Sequence, residues 1–252
     1  MTRAANANPF KNGLIEAVYV IHARKFADRA AHMKKELARF DIPFEFIEPY
    51  DADTLDAGIL SRFFAPDAVL SPGQKSASLK HFEAMRRVVE KKQQLALIFE
   101  DDVMLADNFI EEIGKIVEEA KGLDHPFTVQ IGCANNMYVP QNRLVPGQRL
   151  YEAIEVRAAD AYLINAKAAR IRVDWLEHGK IHRAPDHILT HIDREKNVKI
   201  YWSEPTLVEQ GSMNGLFPSV LEENRKTQPL WYMKLRFKWQ RLRKKYIYRL
   251  FR

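Results

Sequence analysis

The sequence predicts an α/β protein, a single Rossmann-type domain on a mostly parallel sheet, followed by a basic amphipathic C-terminal helix. Three observations predict it. Residues 15–47 read as strand, helix and strand, an opening that favours a parallel pair joined by a right-handed crossover. The run Leu95-Ala96-Leu97-Ile98-Phe99 is apolar at every position, as in a strand buried on both faces of a parallel sheet. Beyond residue 100, further apolar strands alternate with helical patterns, and from Leu230 to Arg252 nine Lys or Arg occur with no acid.

The 252 residues, 46% hydrophobic and 29% charged, are enough for a substantial core and exclude a disordered chain. No apolar run approaches the roughly 20 residues that span a bilayer. The N-terminus lacks the apolar stretch of a secretory signal, so cytoplasmic residence is expected. The single cysteine, Cys133, excludes an intrachain disulfide or a multi-cysteine zinc site, and it reads as a small buried hydrophobe. The formal charge of +6 belongs to the tail: outside its nine basic residues there are 30 basic against 33 acidic ones. That weakens a nucleic-acid-binding reading, and no nucleic-acid partner is expected.

In chain order, Ile15-Glu16-Ala17-Val18-Tyr19-Val20-Ile21 is the first strand. Phe26, Ala30, Met33, Leu37 and Phe40 recur at helical spacing. Asp41-Ile42-Pro43 ends that helix, and Phe44-Glu45-Phe46-Ile47 alternates as a strand. Residues 49–54 form a loop with a literal Asp-x-Asp, Asp51 and Asp53, placed near the active edge. Residues 55–70 carry too little periodicity to assign. Ser71-Pro72-Gly73-Gln74 is a capping-box start, with Leu79, Phe82, Met85 and Val89 on the inner face of its helix. After the central strand, Asp107 or Asn108 can cap a helix with Ile110, Ile113, Val117 and Ala120 inward and Gly122 as its stop. Residues 127–132 are a strand and 134–150 a long loop. Residues 161–164 are a strand, 166–176 a helix, and 198–202 a strand closed by Pro205. Neither type of Gly-rich phosphate loop is present.

The central strand runs directly into Glu100-Asp101-Asp102. Buried carboxylates are costly unless paired or bound to metal, so the three acids belong where the strand emerges. In open α/β sheets that carboxyl edge is where ligands bind. Three adjacent acids repel one another, and a divalent cation held by oxygen ligands relieves this; the alternative is a solvated acidic turn.

The collinear series of residues 19–29, 71–81, Ala96-Leu97-Ile98-Phe99-Glu100-Asp101-Asp102-Val103, Ala161-Tyr162-Leu163-Ile164, Pro185-Asp186-His187 and residues 204–210 resembles glycosyltransferase family 25, the lipooligosaccharide and collagen galactosyltransferases. The resemblance covers about residues 15–220. It departs at 74–80 and after the first strand, where His22-Ala23-Arg24-Lys25 stands, so the chain reads as a divergent member. It implies a GT-A-like fold over residues 1–228 and a metal-dependent hexosyltransferase using Mn²⁺ or Mg²⁺. The expected donor is a UDP-sugar, of galactose or a related hexose. The expected acceptor is a growing surface glycan or glycolipid such as lipopolysaccharide, reached with inversion. Asp102 is the expected metal ligand with Asp101 the alternate, and Glu100 faces the ribose. Asp186 is the expected base, with Glu209 and Asp160 in reserve. As a helix residue before His187, Asp186 reads equally well as a cap. His81 and Arg24, with Lys25 and Arg29, are candidates to grip the donor's phosphates, against packing or solvated roles. A phosphoesterase built on the same acids and a non-catalytic membrane-associated adaptor are the competing functions.

Residues 229–252 form the tail. Trp231, Leu235, Trp239, Leu242 and Tyr246 repeat at helical spacing among Lys and Arg, with further aromatics at Tyr248 and Phe251. This profile fits an anionic membrane surface contacted by residues 230–252, and peripheral residence on the inner face of the cytoplasmic membrane. Packing on the protein's own body and nucleic-acid binding are the alternatives.

Overall fold

The computed structural model describes residues 8–134, 136–218 and 229–247. Its first strand, β1 (Ala17–Ile21), leads through α1 (Ala27–Ala38) to β2 (Glu45–Ile47), and β1 pairs in parallel with both β2 and β3 (Leu95–Glu100). The βαβ opening and the parallel central strand are thus as the sequence predicts. Residues 55–70, silent in periodicity, hold a short helix α2 (Ala57–Phe63), capped by the Asp56 side chain on the Ile59 amide. The capping box at Ser71 and Gln74 is formed in both directions and starts α3 (Pro72–Glu90).

Past the acids, β4 (Val103–Leu105) precedes α4 (Phe109–Ala120). Asn108 holds the cap position without a side-chain bond, while Asp107 pairs with Arg39. Then come β5 (Phe127–Gln130), β6 (Leu150–Ala153), β7 (Ala161–Asn165) and α5 (Ala166–His178). After α6 (Pro185–Glu195) follow β8 (Lys199–Ser203), β9 (Val208–Gln210) and a four-residue helix α7 (Gly211–Asn214). The last helix, α8, spans Leu230–Leu242. Tyr248 and Phe251, the further aromatics of the tail, lie outside the described residues.

The seven-stranded sheet has the order β2-β1-β3-β7-β5-β8-β6. Five strands run in parallel, and β7 and β6 run against them. Strand alternation sorts the core into two layers. Leu97, Phe99, Val129, Ile131, Ala161 and Leu163 face α1 and α4, whereas Ala96, Ile98, Tyr162 and Ile164 face α3 and α5. A second, two-stranded sheet pairs β4 with β9 in antiparallel register. Sequence patterning does not reveal it, because two three-residue strands about a hundred positions apart have no period to read.

Candidate active site

Strand β3 delivers its acids one by one onto different neighbours. Glu100, the last β3 residue, points to the α3 face, and its amide donates to the Asp160 carbonyl at 2.8 Å. Gln210 Nε2 donates to its carboxylate. Asp101 is buried and doubly held: Arg29 Nη1 lies 2.8 Å from Oδ1, and His22 Nδ1 lies 2.8 Å from Oδ2. Asp102, 1% exposed, turns to the other side. Its Oδ2 accepts from the Ser212 amide at 2.9 Å and its carbonyl from the Gly211 amide at 2.7 Å. Its Oδ1 is buried with no hydrogen-bond partner.

A fourth acid joins them. Asp160 directly precedes β7, opposite Glu100, and is fully buried, its carboxylate met only by the nearby backbone amides of Asp160 and Ala161 and by no side-chain donor. Its carboxylate lies so close over Gly132 that a Cβ there would stand 2.2 Å from Oδ2. Burial, reinforced by Glu100 and Asp102, raises the Asp160 carboxyl to about 8. Burial likewise raises Asp102 to about 6; Glu100 and Asp101 add to the rise, while Arg29 and the Ser212 amide oppose it. The open Oδ1 of Asp102 in a mutually repelling acidic group fits a hard divalent cation. Among the described residues, no three His, Cys, Asp or Glu side chains converge as a self-sufficient cage. A cation here therefore needs ligands from phosphate or water.

Glu100 and Asp101 also line a cavity of about 290 Å³. Its remaining lining includes the α3 start (Ser71, Gly73, Ser76, Ala77), the Asp51–Asp53 loop, Lys25 and Lys80, and Arg29, which is bonded to Asp101. Gly73, Ser76, Ala77 and Lys80 share one helix face, and three small residues make it a shallow floor with Lys80 at its end. Lys80 is 2% exposed, 2.9 Å from Asp51 Oδ1, and donates to the Glu48 carbonyl at 2.7 Å. Burial lowers its pKa despite that pairing. Arg24 reaches Asp51 Oδ2 at 2.9 Å from the exposed side, and the Arg24 and Lys80 bonds hold Asp51 below the usual carboxylate range against its burial.

The residues singled out from sequence fall into two groups. Glu100, Asp101 and Asp102 gather at the sheet's carboxyl edge with Arg29 bonded to Asp101, whereas Arg24 bonds to Asp51 instead. His81 does not line the cavity. It is 1% exposed beneath Glu100, with Nδ1 3.1 Å from the Tyr162 hydroxyl and Nε2 3.8 Å from Glu100 Oε1. Asp186 sits in the first turn of α6, half-buried, and accepts from the His187 amide at 2.9 Å. Because α6 feeds β8 from the opposite edge, its N-terminus lies at the carboxyl edge of the sheet. Glu209 lies in strand β9 rather than in a loop, and its carboxylate pairs with Arg241 and accepts from Asn214. Sequence reasoning missed Lys80 and gave Asp51 little weight. The available signal was a lysine on the small-residue face formed at helical spacing by Gly73, Ser76, Ala77 and Ala84.

Fold and site define a Rossmann-like α/β protein with an acidic strand end facing a cation-lined cavity. The pattern of glycosyltransferase family 25 (LPS biosynthesis protein) matches residues 15–182, and the chain belongs to that family. A lipooligosaccharide biosynthesis protein of Haemophilus influenzae, lic2B, is 29% identical over 111 residues, 42% of each chain. A second H. influenzae chain, whose name proposes a glycosyltransferase, is 24% identical over 82% of this chain and 76% of its own. A mouse family member named as inactive, glycosyltransferase 25 family member 3, is 25% identical over 41% of this chain and 19% of its own. The chain thus spans under half the length of the first of these relatives and about a fifth of the mouse protein.

Proposed function

We propose that this protein transfers a hexose, galactose or a close relative, from a UDP-sugar to a growing surface glycan such as lipopolysaccharide, with inversion and with a divalent cation. The observation that carries the reading is the cavity lined together by Glu100, the Asp101–Arg29 pair, Lys25 and Lys80 beside the start of α3. Acids, ammonium groups and a guanidinium around one cavity suit a cation-bridged diphosphate. Asp102, next in sequence to the cavity-lining Asp101 but turned toward the Gly211–Ser212 turn, is the proposed ligand to Mn²⁺ or Mg²⁺ through its open Oδ1; Asp101, with both oxygens engaged by Arg29 and His22, orients the strand end instead. When bound, the cation neutralises charge developing on the leaving nucleoside diphosphate. Lys80, kept in place by Asp51, and Lys25 add positive charge on the far side. Glu100 borders the cavity and can accept from a ribose hydroxyl. Asp186 takes the proton of the acceptor hydroxyl. Glu209, tied to Arg241, and Asp160, with both oxygens buried, are less suited to that step.

The same reading places the protein peripherally on an anionic membrane, where glycolipid acceptors reside. Trp231, Leu235 and Trp239 are 67%, 60% and 63% exposed along one face of α8, while Met233 and Phe237 pack inward. Lys234 and Lys238 flank that stripe on one side and Arg236 on the other, the arrangement of an interfacial helix. Among the described residues no helix is long and apolar enough to cross a membrane.

The test is transfer and hydrolysis across a panel of nucleotide sugars with and without Mn²⁺. Transfer that needs both a UDP-hexose and the cation supports the proposal. Phosphatase activity indifferent to the sugar replaces it with a phosphoesterase, and absence of nucleotide binding replaces it with an adaptor.

A further inference from the structure

The segment that holds Asp102 is itself held from behind by the C-terminal helix. Residues 208–212 form one side of the clamp: β9 pairs with β4, and the Gly211 and Ser212 amides fix the Asp102 carbonyl and carboxylate. Leu216 and Phe217 close the turn by donating to the Gly211 carbonyl. On its outer side the segment meets α8. Gly215, at φ +83°, lies so close to α8 that a Cβ would stand 2.5 Å from the Leu230 carbonyl and 3.0 Å from the Lys234 amide. Met233 and Phe237 are buried on the same side, and Arg241 pairs with Glu209 one turn further on. These three positions, four apart, make up the inward face of α8, opposite the aromatic stripe.

We infer that α8 is a positioning strut for Asp102: its seat on Glu209 and Gly215 braces the 208–212 segment, so the lipid-facing helix and the site carboxylate form one mechanical unit. The inference rests on the proposed role of Asp102 for its functional meaning, but its mechanical part stands on the contacts alone. It gives Glu209 a task that its engaged carboxylate fits better than proton transfer. It also means that a surface on the stripe side of α8 is joined through one helix thickness to the acidic strand end.

The experiment is hydrogen–deuterium exchange of the full chain, followed in peptides covering 208–216 and 230–242, together with Mn²⁺ affinity by titration calorimetry. Two variants release α8 without touching the clamp: Arg241→Glu, which opposes Glu209, and Met233→Glu/Phe237→Glu. Each should make exchange at Gly211 and Ser212 about fivefold or more faster, as loss of a supporting contact predicts. The charge swap Glu209→Arg/Arg241→Glu should restore protection. Apparent Mn²⁺ affinity should fall and recover in step. Faster exchange in 230–242 with unchanged exchange in 208–216 overturns the strut. Coupled exchange with no Mn²⁺ binding in any form leaves the strut standing and overturns the metal role of Asp102. A variant that leaves 230–242 protected is replaced by the other, whose apolar contacts are independent of the ion pair.

Discussion

Arg29 and Asp101 form a buried ion pair, Nη1 to Oδ1 at 2.8 Å, and the same guanidinium stands 3.8 Å from Asp102 Oδ2. The protein thus neutralises part of its acidic strand end with a side chain from the first helix. Arg29 is also fixed from the far side, donating to the Pro218 carbonyl at 2.9 Å and lying over the Phe26 and Phe217 rings. Burial opposes its charge, but Asp102 and Asp101 keep its pKa raised.

Removing one partner of such a pair leaves the other buried and uncompensated. Arg29→Met should destabilise the fold by about 3–5 kcal/mol, read as a shift in the urea midpoint. Arg29→Lys, which keeps the charge but loses the fork, should cost less. A midpoint unchanged in Arg29→Met would show that the pair carries no net weight.

Asp160 gives a pH dependence whose sign is fixed by its environment. Its carboxyl is raised from 3.8 to about 8 in the folded chain, so the native state binds more protons than the unfolded state between those values. Stability from this group is therefore present below pH 4 and is lost as pH rises toward 8. Asp160→Asn should flatten the fall in melting temperature between pH 5 and pH 8 and raise stability most at pH 8. Parallel melting curves for the two proteins across that range would contradict the assignment.

The sequence revealed the site's acids more readily than their partners. An apolar run ending in Glu100-Asp101-Asp102 needs no tertiary information, because strand burial and carboxylate desolvation both act locally. The same holds for the α3 capping box and for the amphipathic face of α1. The engagement of Asp101 by His22 and Arg29 depends on how β1 and α1 pack beside β3, about 70 residues away in sequence. The β4–β9 pairing, the Lys80–Asp51 pair and the docking of Arg241 on Glu209 are non-local in the same sense. His81, for which the sequence leaves phosphate contact and packing both open, turns its ring inward to Tyr162. The exposed stripe of α8 follows the spacing of Trp231, Leu235 and Trp239, whereas the packing of Met233 and Phe237 on the opposite face does not follow from a list of aromatics.

That stripe should bind lipid. The full chain should co-sediment with vesicles containing anionic phospholipid and release as salt is raised, because the basic flanks act through screened charge. Trp231→Ser/Leu235→Ser/Trp239→Ser should abolish co-sedimentation while shifting stability by no more than about 1 kcal/mol, since all three side chains face solvent. Equal sedimentation of the variant, or binding to neutral vesicles alone, would remove the membrane reading.

The proposed base separates from its competitor kinetically. Asp186→Asn should lower kcat by about 10²–10⁴ with donor KM little changed, as expected for loss of proton transfer to a carboxylate. Glu209→Gln should lower kcat far less and should alter cation dependence instead. The reverse pattern would exchange the two roles.

The end of β3 is proposed as a cation-dependent sugar-nucleotide site. It is tested most directly by calorimetric titration of UDP-galactose into the wild-type chain and Asp102→Asn, each with and without Mn²⁺. Tight binding should occur only with the wild type in the presence of Mn²⁺, with affinity falling at least tenfold when either the cation or the Asp102 carboxylate is removed. Binding of equal strength in all four titrations would contradict it.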